Sequence, residues 1–318
     1  MRLATYSLAG APRIAAVTGT DTAIDLNRAA AALAASRGEA LPAVLADATV
    51  PADPLAFLQA GPSAIAAGEK ALAFARDLDD AAVATAVLGV DLGAVELLPP
   101  IPTPPKIICV GRNYAEHAKE AGFDLSEIPI IFARFPATLV ADGGAVVRPT
   151  VSDQFDWEGE LAVVIGEGGR HLPVESALDH VAGYSVFNDV TVRDFQFRTT
   201  QYTAGKNFHA SGPFGPHLVL KDEVPDPHVL DIATYVDDEQ VQSGNTGDMI
   251  FDVPTIVSHL SEFIELEPGD VIPTGTPAGV GFKRKPPRFL QPGQTVRVEV
   301  EGVGVLTNPI IDEKDEQP

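Results

Sequence analysis

The chain has 318 residues, 44 acidic and 22 basic, for a formal charge of −22. That surplus repels phosphate backbones and anionic headgroups, so neither nucleic acid nor a membrane surface is an expected partner. With 45% apolar residues and a mean hydropathy of +0.11, the chain can bury a sizeable core, yet no window approaches the ~20 apolar residues of a membrane helix.

In chain order, LATYSL, RIAAVTG and TAIDL read as short strands between Gly, Pro and Asp turns, a small β unit over residues 1–26. Thr5, Ser7 and Arg13 interrupt any apolar run long enough for a secretory leader. The single cysteine, Cys109, has no partner for an intramolecular disulfide, and a reducing cytoplasm is the expected compartment. From Asn27 to about Leu98 alanine dominates, which favours helices by propensity. Residues 1–98 are thus expected to form a small N-terminal β/α domain.

Pro99, Pro100, Pro102, Pro104 and Pro105 fall within seven positions, a stiff linker over 99–105 that stops regular structure. Beyond it KIICVG, LAVVIG, GYSVFND, HLVL, TVRVEVEG and GVGVLTN read as strands, so 106–312 is expected to be mostly β, with 313–318 as a tail. Two helices interrupt this part. NYAEHAKEAG carries Asn113 as a candidate cap and Gly122 past its end, and VPTIVSHLSEFIE has Pro254 in its first turn and Val253, Val257, Leu260 and Ile264 on one face.

The stretch DWEGELAVVI carries the chemistry. In a strand Glu158 and Glu160 point the same way, while Gly159 points the other way and leaves its face bare. Two converging carboxylates are either a solvated strand face or a pair that a cation neutralises. The apolar LAVVIG that follows takes the strand into the interior, which favours the cation. Asp189, ending another strand-like run some thirty residues on, supplies a third oxygen donor. Three carboxylates without a Cys or His cluster describe a hard-cation site for Mg²⁺ or Mn²⁺.

Lys206, one of eight lysines, lies in the glycine-rich TAGKNFHASGPFGP and is either a solvated lysine or a positive charge placed to stabilise an enolate near a metal. TGTPAGVG suits either a tight turn or a nest of amides for an anion. His117 and Glu120 share a helix face, so Glu120 can orient the imidazole as a base, or His117 is incidental on a surface helix. Arg193 is either a site residue or a structural partner of Asp194 or another acid.

Taken in order, KIICVGRNYAEHAKEAG, DWEGELAVVIG, AGYSVFNDVTVRDFQ, GKNF, MIFDVPTIVSHLS and LEPGDVIPTGTPAGVG resemble the fumarylacetoacetate hydrolase family across about residues 105 to 311. The resemblance implies an α+β, mixed-β roll with a divalent cation held by Glu158, Glu160 and Asp189. It places Lys206, Arg193, Gln196 and Thr276 against the substrate, Arg112 on a substrate carboxylate, and His117 with Glu120 as a base pair on a lid. Pro273 departs from the apolar residue usual at its position, so the strand is expected to be distorted there or to lie at an edge.

The expected activity is metal-dependent hydrolysis of a C–C bond in an acylpyruvate-like 2-oxo acid. Two alternatives stay open: an isomerase or decarboxylase of a 2-oxo or 2-hydroxydienoate diacid, and a non-catalytic 2-oxo-acid binder. Since fold alone does not separate these, the site must. The resemblance also implies a homodimer and a small-molecule 2-oxo acid as the only other partner.

Overall fold

The computed structural model describes residues 1–116, 120 and 126–315. Strands β1 (Arg2–Leu8), β2 (Ala11–Val17) and β3 (Thr22–Asp25) form an antiparallel meander, followed by helices Leu26–Ser36, Pro42–Thr49, Pro54–Gln59, Pro62–Arg76 and Asp80–Thr85. Asp25, Asp53 and Asp79 each cap a helix by accepting the main-chain N–H three residues on. Pro42, Pro54 and Pro62 stand at first-turn positions, where a missing N–H leaves no bond unmade. β4 (Gly89–Asp91) and β5 (Leu97–Leu98) return beside β3 and β1. The proline-rich segment lies against this unit, with Pro100 O accepting from Thr5 Oγ1 at 2.8 Å and Ile101 buried.

The rest of the chain supplies β6 (Ile107–Gly111), β7 (Ile130–Arg134), β8 (Leu139–Val140), β9 (Val146–Arg148), β10 (Phe155–Asp156), β11 (Gly159–Ile165), β12 (Val181–Asn188) and β13 (Thr191–Val192). After these come β14 (Gly212–Leu220), β15 (Asp231–Val236), β16 (Glu239–Asn245), β17 (Val271–Pro273), β18 (Thr295–Val300) and β19 (Gly304–Asp312). The large sheet runs β4, β3, β2, β1, β14, β12, β11, β17, β6, β7, and a smaller one β16, β15, β18, β19, β9. β1 pairs with β14, Leu3 opposite Leu218, so the N-terminal strands extend the sheet of the second part.

β11 shows how the two faces of the large sheet differ. Ala162 and Val164 join Leu26, Phe57 and Leu72 of the N-terminal helices in one apolar cluster. Leu161, Val163 and Ile165 join Ile232, Val298 and Val300 of the smaller sheet in another. Each such buried aliphatic side chain contributes about 2 kcal/mol. A strand covered on both sides reads as a continuous apolar run, as LAVVI does.

The face opposite the glutamates is not bare. A Cβ on Gly159 would stand 2.2 Å from Thr234 Oγ1 and 2.8 Å from Val298 Cγ1, so glycine is needed there because the smaller sheet crosses closely. Nor does Pro273 mark an edge. β17 lies between β11 and β6, with Ala162 opposite Pro273, and the strand simply ends where the N–H is missing. Helix Val253–Ser261 forms, capped by Asp252 and burying Val253, Val257 and Leu260, but it ends a turn before the expected VPTIVSHLSEFIE does and leaves Ile264 beyond it. No helix among the described residues is long and apolar enough to cross a membrane.

Candidate active site

The site sits where β11 and β12 emerge from between the two layers. Glu160 lies opposite Phe187 and Gly159 opposite Asn188, and Asp189 N donates to Glu158 O at 2.8 Å beyond the paired ends. Glu160, Ala162 and Val164 share one face of β11 by strand alternation, with Glu158 just before the strand and Asp189 just after β12. One carboxylate oxygen from each of Glu158, Glu160 and Asp189 falls within 4.8 Å of the others, and all three residues are buried.

Each carboxylate is held by a donor. Arg193 Nη1 donates to Glu158 Oε1 at 2.6 Å, Gly275 N to Glu160 Oε2 at 2.9 Å, and Arg134 Nε to Asp189 Oδ1 at 2.8 Å. Lys206 Nζ lies 2.5 Å from both Glu158 Oε2 and Asp189 Oδ2. Arg193 also donates to Asp156 Oδ2 at 2.8 Å and to Gln196 Oε1 at 3.1 Å.

The electrostatics suit a further cation. Asp156, Glu158, Glu160 and Asp189 are buried beside Arg134, Arg193 and Lys206, four acids against three bases. Burial pushes the Glu160 carboxyl well above the usual range, and the Asp189 and Glu158 charges push it further. Burial pulls the Lys206 ammonium down, but Asp189 and Glu158 outweigh it and keep the lysine charged. A divalent ion would remove the repulsion at Glu160, and three carboxylates, two of them already facing an ammonium, are a fitting hard-oxygen donor set.

A cavity of about 40 Å³ opens beside this cluster, with Glu158, Glu160, Arg193, Gln196, Lys206 and Thr276 in its wall. Arg112 borders it too, with left-handed φ of 56° and Nη2 donating to Tyr202 Oη at 2.5 Å. Arg193 stacks on Phe282 at 4.3 Å, and its buried Nη2 has no hydrogen-bond partner among the described residues. Thr276 Oγ1 donates to Gly159 O at 2.9 Å and accepts from Gln242 Nε2 at 2.8 Å, so its one proton is directed at the main chain and not at the cavity.

Of the expected base pair, Glu120 Oε2 accepts from Gly279 N of the TGTPAGVG loop at 3.0 Å, while His117 lies outside the described residues. Arg193 pairs with Asp156 and Glu158 rather than Asp194, which accepts from Ser152 Oγ. Asn113 holds loops together, its Nδ2 donating to Phe251 O and Thr274 O and its Oδ1 accepting from Phe251 N. Among the aromatics, Phe197 and Tyr202 line the cavity, Phe155 and Phe195 pack in the core, and Phe135 is exposed.

Sequence reasoning missed Arg134, Asp156 and Gln242. The signal for Arg134 was a lone charge inside IIFAR, which a buried strand tolerates only when paired. Asp156 opens DWEGE itself, yet only the glutamates of that stretch stood out.

Residues 106–311 match the family described as fumarylacetoacetate (FAA) hydrolase C-terminal. The chain is 41% identical over 267 residues to the mitochondrial oxaloacetate tautomerase FAHD2A of Homo sapiens, covering 83% of this chain and 82% of that one. Among solved structures it is similar to a fumarylacetoacetate hydrolase from Exiguobacterium antarcticum, with a TM-score of 0.74 and 33% identity over 98% of this chain and 100% of that one. It is also similar to maleylpyruvate hydrolase from Sphingobium sp. SYK-6 in complex with manganese(II) ion and pyruvate, with a TM-score of 0.70 and 27% identity over 98% and 99% of the two chains.

Proposed function

The chain belongs to the fumarylacetoacetate hydrolase family, and from that premise we propose that it is a divalent-metal-dependent enzyme interconverting the enol and keto forms of a small 2-oxo diacid of the oxaloacetate type. The carrying observation is Lys206, a buried ammonium in the cavity wall, 2.5 Å from two carboxylates of the adjoining three-acid cluster. Glu158, Glu160 and Asp189 would hold Mg²⁺ or Mn²⁺. When bound, the cation supplies Lewis acidity toward the 2-oxo carboxylate.

Lys206 then donates to the oxygen on which enolate charge develops, a role that needs it protonated at neutral pH. The partnerless Nη2 of Arg193 meets a carboxylate, with Gln196 beside it, and Arg112 meets the other end of the diacid. Thr276 and Gln242 fix the loop that closes this wall. His117, oriented by Glu120, carries the proton to and from C3. The likeness to a tautomerase at 41% identity supports this reading over the hydrolysis expected from sequence.

C–C hydrolysis is the second reading, favoured by the Glu120–Gly279 contact, which brings a base-pair residue to the cavity loop, and by the likeness to maleylpyruvate hydrolase. The same pair would then activate water. Enol-to-keto conversion of oxaloacetate, followed spectrophotometrically with Mg²⁺ beside cleavage of acylpyruvates, separates the two. Turnover of acylpyruvates with oxaloacetate at the rate of metal alone would leave only the second reading. Residues 106–312 are proposed as the catalytic unit of a homodimer, with 1–98 an accessory domain.

A further inference from the structure

Every carboxylate of the cluster has one oxygen committed to a main-chain or guanidinium donor, and Lys206 Nζ faces the second oxygen of Glu158 and of Asp189. Arg193 holds Glu158 Oε1, Gly275 N holds Glu160 Oε2, and Arg134 holds Asp189 Oδ1. Arg134 is the firmest of these anchors. It is 1% exposed, with Nη2 on Val190 O at 2.7 Å and Nη1 on Ser211 Oγ at 3.0 Å and Thr138 Oγ1 at 3.3 Å, so all three of its nitrogens are engaged. A guanidinium fixed on that many partners cannot swing away to release Asp189 Oδ1.

We infer that Arg134 is a positioning residue that restricts Asp189 to a single ligating oxygen and thereby selects a small six-coordinate cation over Ca²⁺. Ca²⁺ takes six to eight oxygens and commonly gathers them from bidentate carboxylates, whereas Mg²⁺ demands about six in near-octahedral order and keeps waters. Three single oxygens on one side, with the remaining positions open to water and substrate, suit the smaller ion. Lys206 and the cation share Asp189 Oδ2, so Oδ1 is the oxygen that Arg134 alone withholds, and releasing it lets the carboxylate offer a second ligating oxygen, which favours Ca²⁺. The inference rests on the metal-dependent reading above, but it concerns the protein's own hydrogen bonds.

The test is isothermal titration of the metal-stripped, full-length protein with MgCl₂, MnCl₂ and CaCl₂ for wild type, Arg134→Gln and Arg134→Lys. Wild type is expected to bind Mg²⁺ or Mn²⁺ at least about tenfold more tightly than Ca²⁺. In Arg134→Gln that ratio should shrink by roughly tenfold, the size of effect that outer partners of metal ligands exert. Losing a positive charge strengthens binding of all divalent ions alike, so the ratio isolates geometry from charge. Arg134→Lys keeps the charge but not the fork, and its ratio should shrink in the same direction; it decides the matter if Arg134→Gln does not fold.

A ratio unchanged within about twofold in the folded variants, or a wild type that prefers Ca²⁺, overturns the inference. Ion binding with the expected ratios but no turnover of any 2-oxo acid would refute the proposed activity and leave the inference standing. Turnover with an unchanged ratio would do the reverse.

Discussion

Lys206 Nζ stands 2.5 Å from Asp189 Oδ2, an ammonium placed against one of the oxygens a cation would need. The lysine and the ion therefore compete for, and share, the same negative charge. Removing one member of a buried pair leaves the other uncompensated at about 3 to 5 kcal/mol. Lys206→Met should lower the melting temperature of the metal-free protein, and saturating Mg²⁺ should restore much of it because the ion binds only the folded state. Turnover with metal present should still fall by on the order of 10² to 10³ for loss of an enolate stabiliser. Thermal melts with and without Mg²⁺ check the first part, and a variant whose melting point ignores the metal would refute it.

Gly159 lies against Thr234, where the two sheets approach closely beside the site. Gly159→Ala should cost about 1 to 3 kcal/mol, because the new methyl must displace Thr234 Oγ1 or Val298. Thr234 Oγ1 has no hydrogen-bond partner among the described residues, so Thr234→Ala leaves no bond broken. The double variant should recover part of the loss, a positive coupling read from urea denaturation. Strict additivity of the two single changes would show that the clash is relieved elsewhere.

The strand pattern and the cluster were legible for the same reason: both depend on local alternation. LAVVI fixed β11 as doubly covered, and the i, i+2 spacing of Glu158 and Glu160 put them on one side before Asp189 was placed. What held the cluster in place was not legible, because it is contributed across long separations. Arg134 reaches Asp189 over 55 positions and Gln242 reaches Thr276 over 34. The same holds for Gly159, whose role depends on which side chains another sheet brings to its empty face. Pro273 misled for a related reason, since a proline is tolerated between two strands when the strand ends on it.

His217 gives a pH dependence remote from the site. Burial, and then the charge of Arg2, lower its pKa from 6.5 to about 4, and its Nδ1 has no partner among the described residues. Between those two values the unfolded chain binds a proton that the folded chain refuses, so stability falls as pH drops from about 6.5 to 4 and is unaffected above that window. Allowing for screening at a partly exposed ring, the loss is roughly 2 kcal/mol. His217→Gln should flatten that part of the stability profile relative to wild type. Parallel profiles for the two proteins between pH 4 and 6.5 would show that the ring titrates normally.

Glu160 sets stability against function at one atom group. Its burial and the neighbouring Asp189 and Glu158 charges all disfavour its anionic form, while Lys206 and the Gly275 N–H oppose them. Glu160→Gln keeps the shape and can still accept from Gly275 N, but it removes the repulsion. The metal-free variant should therefore melt about 1.5 °C higher than wild type, the shift expected from about 1 kcal/mol in a chain of this size. The same change replaces an anionic ligand by a neutral one, so Mg²⁺ affinity should drop by at least about tenfold and turnover with it. A variant that is less stable without metal would mean that the Glu160 charge is already compensated by Lys206 and Arg193. An unchanged Mg²⁺ affinity would mean that Glu160 is not a ligand, and the three-carboxylate centre would then have to be abandoned.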